Sequence, residues 1–401
     1  MERTEVNAAE EKIAAGRADK AINLSYVRAY NVRLIMKILY EKPLSCLELS
    51  EKIGISDVGI RKIVKNLQAN GMLRVAREEN VLRKKGNQHI RYTIDPAYGF
   101  FLIIDFTHLS EAYEVFDYAG NLLFSRRIFS VPYEDVSDED LLRVIGEIKR
   151  ALTDWGIDCG KLLNIQICVP GQVDEKMRCF IVSHRFRRYE NDGEGRFFRL
   201  FEDAFGVSVA AKNNVAYMAL GELEKGSIGG YGSAVYFFVG YGIATSVLYN
   251  GKLVEGWRGY AGEIGGSKFG NDGTFSMNCS INRLKDKCAP YLETPDFAGL
   301  LKAYRAGGPV REIVLKSADV LGAFISMFSN FIGAEVAVIG GESREYGEEY
   351  FGRVKNYVYS HTIPKTRVIV SALKNAAVLG ALEEAKKRTI ADYNERRSAE
   401  M

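Results

Sequence analysis

Ser45-Cys-Leu-Glu-Leu-Ser-Glu-Lys-Ile-Gly-Ile-Ser-Asp-Val-Gly-Ile-Arg-Lys-Ile-Val-Lys-Asn-Leu-Gln-Ala-Asn-Gly71 contains two helix starts and two helix stops. Ser45 and Glu48 have the Ser-x-x-Glu spacing of a capping box, in which hydroxyl and carboxylate each satisfy a free backbone donor at a helix start. Leu49 and Ile53 give the short helix one apolar face, and Gly54 ends it. Ser56 caps a following helix in which Ile60, Ile63, Val64 and Leu67 point inward, before Asn70-Gly71 stops it. The opposite face carries Asp57, Arg61, Lys62, Lys65, Asn66 and Gln68. Two short helices with a tight turn, the second polar and basic outward, describe a helix-turn-helix.

Upstream, Val27, Leu34, Ile35, Ile38 and Leu39 recur at helical spacing from Leu24 to Leu39, and Pro43 closes the segment. Residues 1–22 read as a frayed or weakly helical arm. Downstream, Met72 to Val75 and Ile90 to Ile94 read as two strands flanking Arg83-Lys-Lys-Gly-Asn-Gln-His89, a hairpin with a basic tip. Residues 23–96 thus read as a winged helix-turn-helix DNA-binding domain. Recognition helices read bases from their N-terminal portion, so Ser56, Asp57, Gly59, Arg61 and Lys62 are the candidates for DNA contact, with Lys65 further along. Arg83, Lys84, Lys85, Asn87 and Gln88 of the wing are candidates for an adjacent minor groove or the backbone. For any one of these basic residues the plain alternative is a solvated charge.

The pattern changes at Tyr98. Phe100 to Asp105, Ala112 to Asp117 and Leu122 to Ile128 read as a strand meander, followed by a helix from Glu139 to Trp155 and a strand from Leu163 to Val169. Alternation resumes with strands Ala234–Val239 and Ala244–Tyr249, a helix from Ala318 to Phe331, strand Val336–Ile339, a helix from Tyr346 to Ser360, strand Arg367–Ser371 and a helix from Leu373 to Lys387. Two such halves imply a two-lobed α/β domain over residues 97–401.

Length and composition agree with several soluble globular domains: 401 residues, 47% hydrophobic and 26% charged. A formal charge of +3 is too small to argue for nucleic acid by itself, so any basic surface is local. Met1 to Lys20 has no apolar core of signal-peptide length, and Ala234 to Tyr249 falls short of the roughly 20 residues that span a bilayer. The expectation is a cytoplasmic protein. Cysteines 46, 159, 168, 179, 279 and 288 are scattered, which fits reduced thiols better than a disulfide framework.

From about Asn31 to Lys387 the chain resembles the ROK family, which groups sugar kinases with transcriptional repressors. The marks are Cys168-Val-Pro-Gly-Gln-Val-Asp174, Asn213-Asn214 with Ala219-Leu-Gly-Glu222, Asn250-Gly-Lys-Leu-Val-Glu-Gly256, Gly262-Glu-Ile-Gly265 and Ala337-Val-Ile-Gly-Gly341. Each is weak alone; their order and spacing are specific. The N-terminal winged helix-turn-helix resembles that of the repressor branch, of the xylose- and N-acetylglucosamine-repressor type. The resemblance implies an actin-like, ribonuclease-H-like pair of lobes. It also implies sugar-binding roles for Gly171, Asn213, Asn214, Glu263 and Asp286, because carboxylates and amides can each bridge neighbouring sugar hydroxyls. The plain alternative for Asn213 is a turn residue.

Three departures from the kinase pattern stand out. Asn214 occupies the place of the Asp that takes the proton from the attacking hydroxyl, and an amide has no useful basicity near neutral pH. The phosphate turn, which in family kinases carries paired glycines, here reads Asp105-Phe-Thr-His-Leu109, so ATP is not expected to fit in the usual way. Gly240-Tyr-Gly-Ile-Ala244 and Gly340-Gly341 keep part of the nucleotide-cleft pattern, and structural turns of an inherited fold, which need no nucleotide, are the favoured reading of them. At the family's zinc site Gly266 replaces the His, and only Cys279 falls on the cysteine cluster, with Met277 and Leu284 in the other places, so no metal is expected. The combined expectation is a sugar-responsive regulator, a repressor binding operator DNA as a homodimer or homotetramer, without cofactor or catalysis. The alternatives are an ATP-dependent sugar kinase with a fused DNA-binding domain, and a regulator whose ROK domain binds a protein partner.

Overall fold

The structure, a computed structural model, describes residues 24–76, 90–107, 111–128, 131–132, 134–268 and 273–399. The expected arm 1–22 and the wing candidates Arg83, Lys84, Lys85, Asn87 and Gln88 lie outside the described residues. The chain divides into two compact units, residues 1–95 with 387–401, and 96–386. The expectation had placed 387–401 with the second domain; these residues instead group with the first unit.

In the first unit, helix α1 (Leu24–Glu41) buries Val32, Ile35, Met36, Ile38 and Leu39, whereas Val27 is exposed. Strand β1 (Leu44–Ser45) leads into α2 (Cys46–Ile53) through the capping box read from sequence. The Ser45 hydroxyl accepts from the Glu48 N–H at 3.2 Å, and the Glu48 carboxylate accepts from the Ser45 N–H at 2.7 Å. The bond from the Ser45 N–H, helped by the Ser45 hydroxyl and Arg91, holds the Glu48 carboxyl below its ordinary range. Gly54 adopts φ +77°, and Ser56 caps α3 (Asp57–Ala69) by accepting from Gly59 N–H. Strands β2 (Leu73–Val75) and β3 (Arg91–Ile94) pair antiparallel, and β1 joins the outer edge of β3. Arg91 reaches Glu48 at 2.8 Å, tying this sheet to the start of α2.

The second unit repeats one topology. Strands β4 (Phe100–Asp105), β5 (Ala112–Asp117), β6 (Leu122–Arg127), β7 (Leu162–Val169) and β10 (Val209–Asn213) form a sheet ordered β10-β7-β4-β5-β6. β4, β5 and β6 make an antiparallel meander, while β7 and β10 add in parallel beside β4. Strands β11 (Ser233–Val239), β12 (Ile243–Tyr249), β13 (Lys252–Leu253), β14 (Val336–Gly340) and β15 (Arg367–Val370) form the second sheet in the equivalent order β13-β12-β11-β14-β15. A meander followed by parallel strands on the far side of the first is the ribonuclease-H-like pattern, duplicated. Both faces of β4, β7, β11 and β14 are buried, which explains their near-continuous apolar sequences.

The helices are α4 (Asp138–Asp154), α5 (Arg196–Phe205), α6 (Asn214–Lys225), α7 (Phe275–Cys279), α8 (Ile281–Cys288), α9 (Phe297–Ala306), α10 (Gly308–Ile332), α11 (Glu348–His361) and α12 (Ala376–Ala399). α10 begins ten residues before the expected Ala318, because Pro309 occupies its first turn, where a missing N–H costs nothing. α12 continues past Lys387 to Ala399, and Asn394 donates to the Ala29 carbonyl at 3.5 Å within the first unit. Helices α5 to α9, strand β10 and the hairpin of β8 (Gln172–Asp174) with β9 (Cys179–Val182) were not among the elements read from sequence.

Candidate functional site

The carboxyl ends of β4, β7 and β10 lie side by side, since Asp105 pairs with Cys168 and Asn213 with Val169. In open α/β sheets such ends are where ligands bind. After β7 the chain turns at Pro170-Gly171. Gly171 has φ +128°, and a Cβ there would stand 2.6 Å from that of Ser183, so only glycine fits.

Asn213 spends its side chain on the backbone. Its amide oxygen accepts from Val215 N–H at 2.8 Å, capping α6, and its amide nitrogen donates to the Gly171 carbonyl at 2.8 Å. Asn214 is different. It opens α6, is only 8% exposed, and its side chain makes no hydrogen bond to another described residue. Its amide atoms, not taken up by the protein, stay open to solvent and to a ligand.

Glu263 comes to the same place from the other lobe. Gly262 is pinned to β12 by Thr245, whose N–H donates to the Gly262 carbonyl at 3.0 Å, and Gln172 next to Gly171 donates its amide to the Glu263 carboxylate. Glu263 is exposed by area, yet the protein crowding its carboxyl raises the pKa, by desolvation first, with the Gln172 bond opposing it. Two further contacts cross this seam: Lys212 meets Glu175 and Glu255, and Arg258 meets Asp174 at 3.1 Å. Gly171, Asn213, Asn214 and Glu263 are therefore brought together. Asp286 is not joined to them by a hydrogen bond; it sits exposed on α8, paired with Arg283 at 3.2 Å. Gln172 was missed as a site residue, although its place in Pro-Gly-Gln172 was legible.

Phe106 fills the first-lobe position that a phosphate turn would occupy. It is fully buried, packed edge-to-face against Phe186 with centroids 5.4 Å apart, and its N–H donates to Cys168 carbonyl at 2.9 Å. The Thr107 N–H is taken by the Asp105 carboxylate at 2.9 Å. Arg185, 3% exposed, donates to the Phe106 carbonyl at 2.7 Å. The backbone N–H groups of Phe106 and Thr107 are thus both already paired. In the second lobe, a Cβ at Gly240 would collide with the Glu342 carboxylate, and one at Gly340 with the Tyr236 hydroxyl. These glycines let the Glu342 and Tyr236 side chains approach the backbone closely.

The segment that carries Met277, Cys279 and Leu284 is held by packing at its described residues. Phe275 stacks on Phe324 at 3.8 Å, and Cys279, Leu284 and Cys288 are buried. Burial pushes the Cys279 thiol up, away from the thiolate a metal needs. Among the described residues no three His, Cys, Asp or Glu side chains group as metal ligands, and no helix is long and apolar enough to cross a membrane. All six cysteines are free thiols.

On α3 the outward face carries Ser56, Val58, Arg61, Lys62 and Lys65, all exposed, while Gly59 is half-buried. Arg61 is bonded to Asp57 at 2.6 Å, so these two candidates are each other's partners. Val58, 79% exposed, escaped the sequence reading, although an apolar residue one turn before Lys62 on a polar face was visible.

The sequence pattern of the ROK family matches residues 110–388. The chain belongs to the ROK family. Among ROK-type relatives, the xylose repressor of Caldicellulosiruptor bescii is 21% identical over 397 residues, covering 89% of this chain and 95% of that protein. The β-glucoside kinase of Klebsiella pneumoniae is 22% identical, covering 54% of this chain and 74% of the kinase. The crystal structure of a ROK family transcriptional regulator, a homolog of the E. coli MLC protein, superposes with a TM-score of 0.73 at 18% identity over 91% of this chain and 97% of that one. The fold expected, a winged helix-turn-helix before an actin-like pair of α/β lobes, is the fold of this ROK protein.

Proposed function

We propose that this ROK protein is a sugar-responsive DNA-binding transcriptional regulator, a repressor, whose kinase-like domain binds its effector without phosphorylating it. The observation that carries this is Asn214, whose amide no described residue engages, opening α6 next to Asn213, which is bonded to Gly171, while the adjacent Gln172 holds Glu263. It offers donor and acceptor to a sugar hydroxyl and no base for that hydroxyl's proton. The occupied phosphate turn at Phe106 and Thr107 supports the loss of transfer chemistry. Repressor relatives matched along nearly their whole length support the output.

Ser56, Val58, Arg61, Lys62 and Lys65 form the DNA-facing surface of α3, with Val58 for a thymine methyl and the lysines for phosphate. Operator binding requires two copies. Phe331 and Met327 at the end of α10 are exposed, as is Ile363, whose N–H bonds Asn330 at 2.9 Å, giving one apolar patch for self-association. Titration calorimetry with sugars and with ATP tests the reading: a sugar binds and ATP does not. ATP binding with turnover would favour the kinase alternative.

A further inference from the structure

Trp257 and Tyr260 lie stacked, with centroids 5.9 Å apart and planes within 19°, yet Trp257 is 69% exposed and Tyr260 37%. Large exposed aromatics held in place are unusual, because burial is their normal source of stabilisation. The turn that holds them is strained. Arg258 between them adopts φ 51°, ψ 29°, a left-handed conformation a non-glycine residue rarely takes. Its guanidinium is locked to Asp174, itself buried, at 3.1 Å, and to Asn191 at 3.3 Å. Tyr260 N–H donates to Trp257 carbonyl at 3.1 Å, and Glu263 N–H donates to Tyr260 carbonyl at 3.4 Å. The aromatic pair therefore stands one turn from Glu263, on a loop fixed to the strand that carries Gln172.

We propose that Trp257 and Tyr260 form a second sugar subsite, so that the effector is a glycoside of at least two pyranose rings. The first ring is held by Asn214 and Glu263, and the apolar face of the second lies on the Trp257–Tyr260 platform. This rests on the sugar-sensor reading above and narrows it. A flat aromatic surface suits a pyranose because its axial C–H groups make one face apolar while its hydroxyls stay in water at the ring edge. A monosaccharide occupying the first position gains nothing from the platform.

The test is calorimetric titration of the full chain with xylose against xylobiose and glucose against cellobiose and maltose. At least one disaccharide is expected to bind tenfold or more tightly than its monosaccharide. Trp257→Ala should lower disaccharide affinity tenfold or more and monosaccharide affinity less than threefold, and Trp257→Phe should restore part of the loss. An unchanged melting temperature of these exposed-site variants checks folding. Equal affinity for one ring and two, or equal losses for both in Trp257→Ala, would overturn the platform while leaving the sugar sensor standing. Binding of no sugar at all would overturn both. A change in sedimenting mass on Trp257→Ala, with sugar affinity intact, would assign the pair to a protein interface instead and overturn the subsite.

Discussion

The amide of Asn213 donates to the carbonyl of Gly171 at 2.8 Å, while its oxygen caps the helix that Asn214 opens. One side chain thus fixes both the Pro-Gly turn and the first turn of α6, and leaves its neighbour to meet the ligand. Asn213→Ala removes a cap worth about 1 kcal/mol and a hydrogen bond worth about another 1 kcal/mol. Denaturant unfolding should show a loss of about 2 kcal/mol. Asn213→Asp keeps the cap acceptor but turns a carboxylate oxygen toward the Gly171 carbonyl, so a loss of at least about 1 kcal/mol is expected.

Asn214→Asp restores a carboxylate where a kinase base would stand, yet no turnover is expected. Thr107 N–H remains bonded to Asp105 and Phe106 remains in the phosphate turn. A coupled ADP-release assay with the sugars that bind should stay at background. Turnover on this single change would mean that only the base had been lost.

Much of this was written locally in the chain. The capping box of Ser45 and Glu48, the Ser56 cap and the stop at Gly71 depend on contacts within three or four residues, and these elements were legible in the sequence. The lengths of α10 and α12 were not. The first turns of α10 carry Val310, Ile313 and Val314 at helical spacing but follow Gly307-Gly308-Pro309, which reads as a break, and the last turns of α12, beyond Lys387, group with the other unit. The role of Asn213 was hidden for another reason: its partner Gly171 lies 42 residues earlier, and only the parallel register of β7 and β10 brings them together. Trp257 gave no signal, since exposure and a strained turn are properties of the fold.

Lys62 and Lys65 are exposed and form no ion pair with a described residue, whereas Arg61 is held by Asp57. Lys62→Ala and Lys65→Ala should each weaken DNA binding uniformly across sequences and reduce the slope of log affinity against log salt by about 1. Val58→Ala should instead change preference at one base position, read by selection from a random DNA pool.

Glu263 has a carboxyl raised above its ordinary value of 4.5 by desolvation. The folded chain therefore binds this proton more tightly than the unfolded chain. Its contribution to stability declines as pH rises from the unfolded value through the raised one. Sugar affinity runs the other way, because the ionised carboxylate is the better acceptor. It should be full above the raised pKa and fall as pH drops through it, and Glu263→Gln should flatten the profile of calorimetric affinity between pH 4.5 and neutrality.

Coupling between the sugar site and DNA is the central claim, and fluorescence anisotropy of a DNA duplex selected by this protein, titrated with and without a saturating sugar that binds it, measures it directly. The sugar should lower DNA affinity by about 5- to 150-fold, the usual span of coupling free energies, and Asn214→Ala should abolish the response while leaving sugar-free DNA binding intact. DNA affinity identical with and without bound sugar would contradict the account.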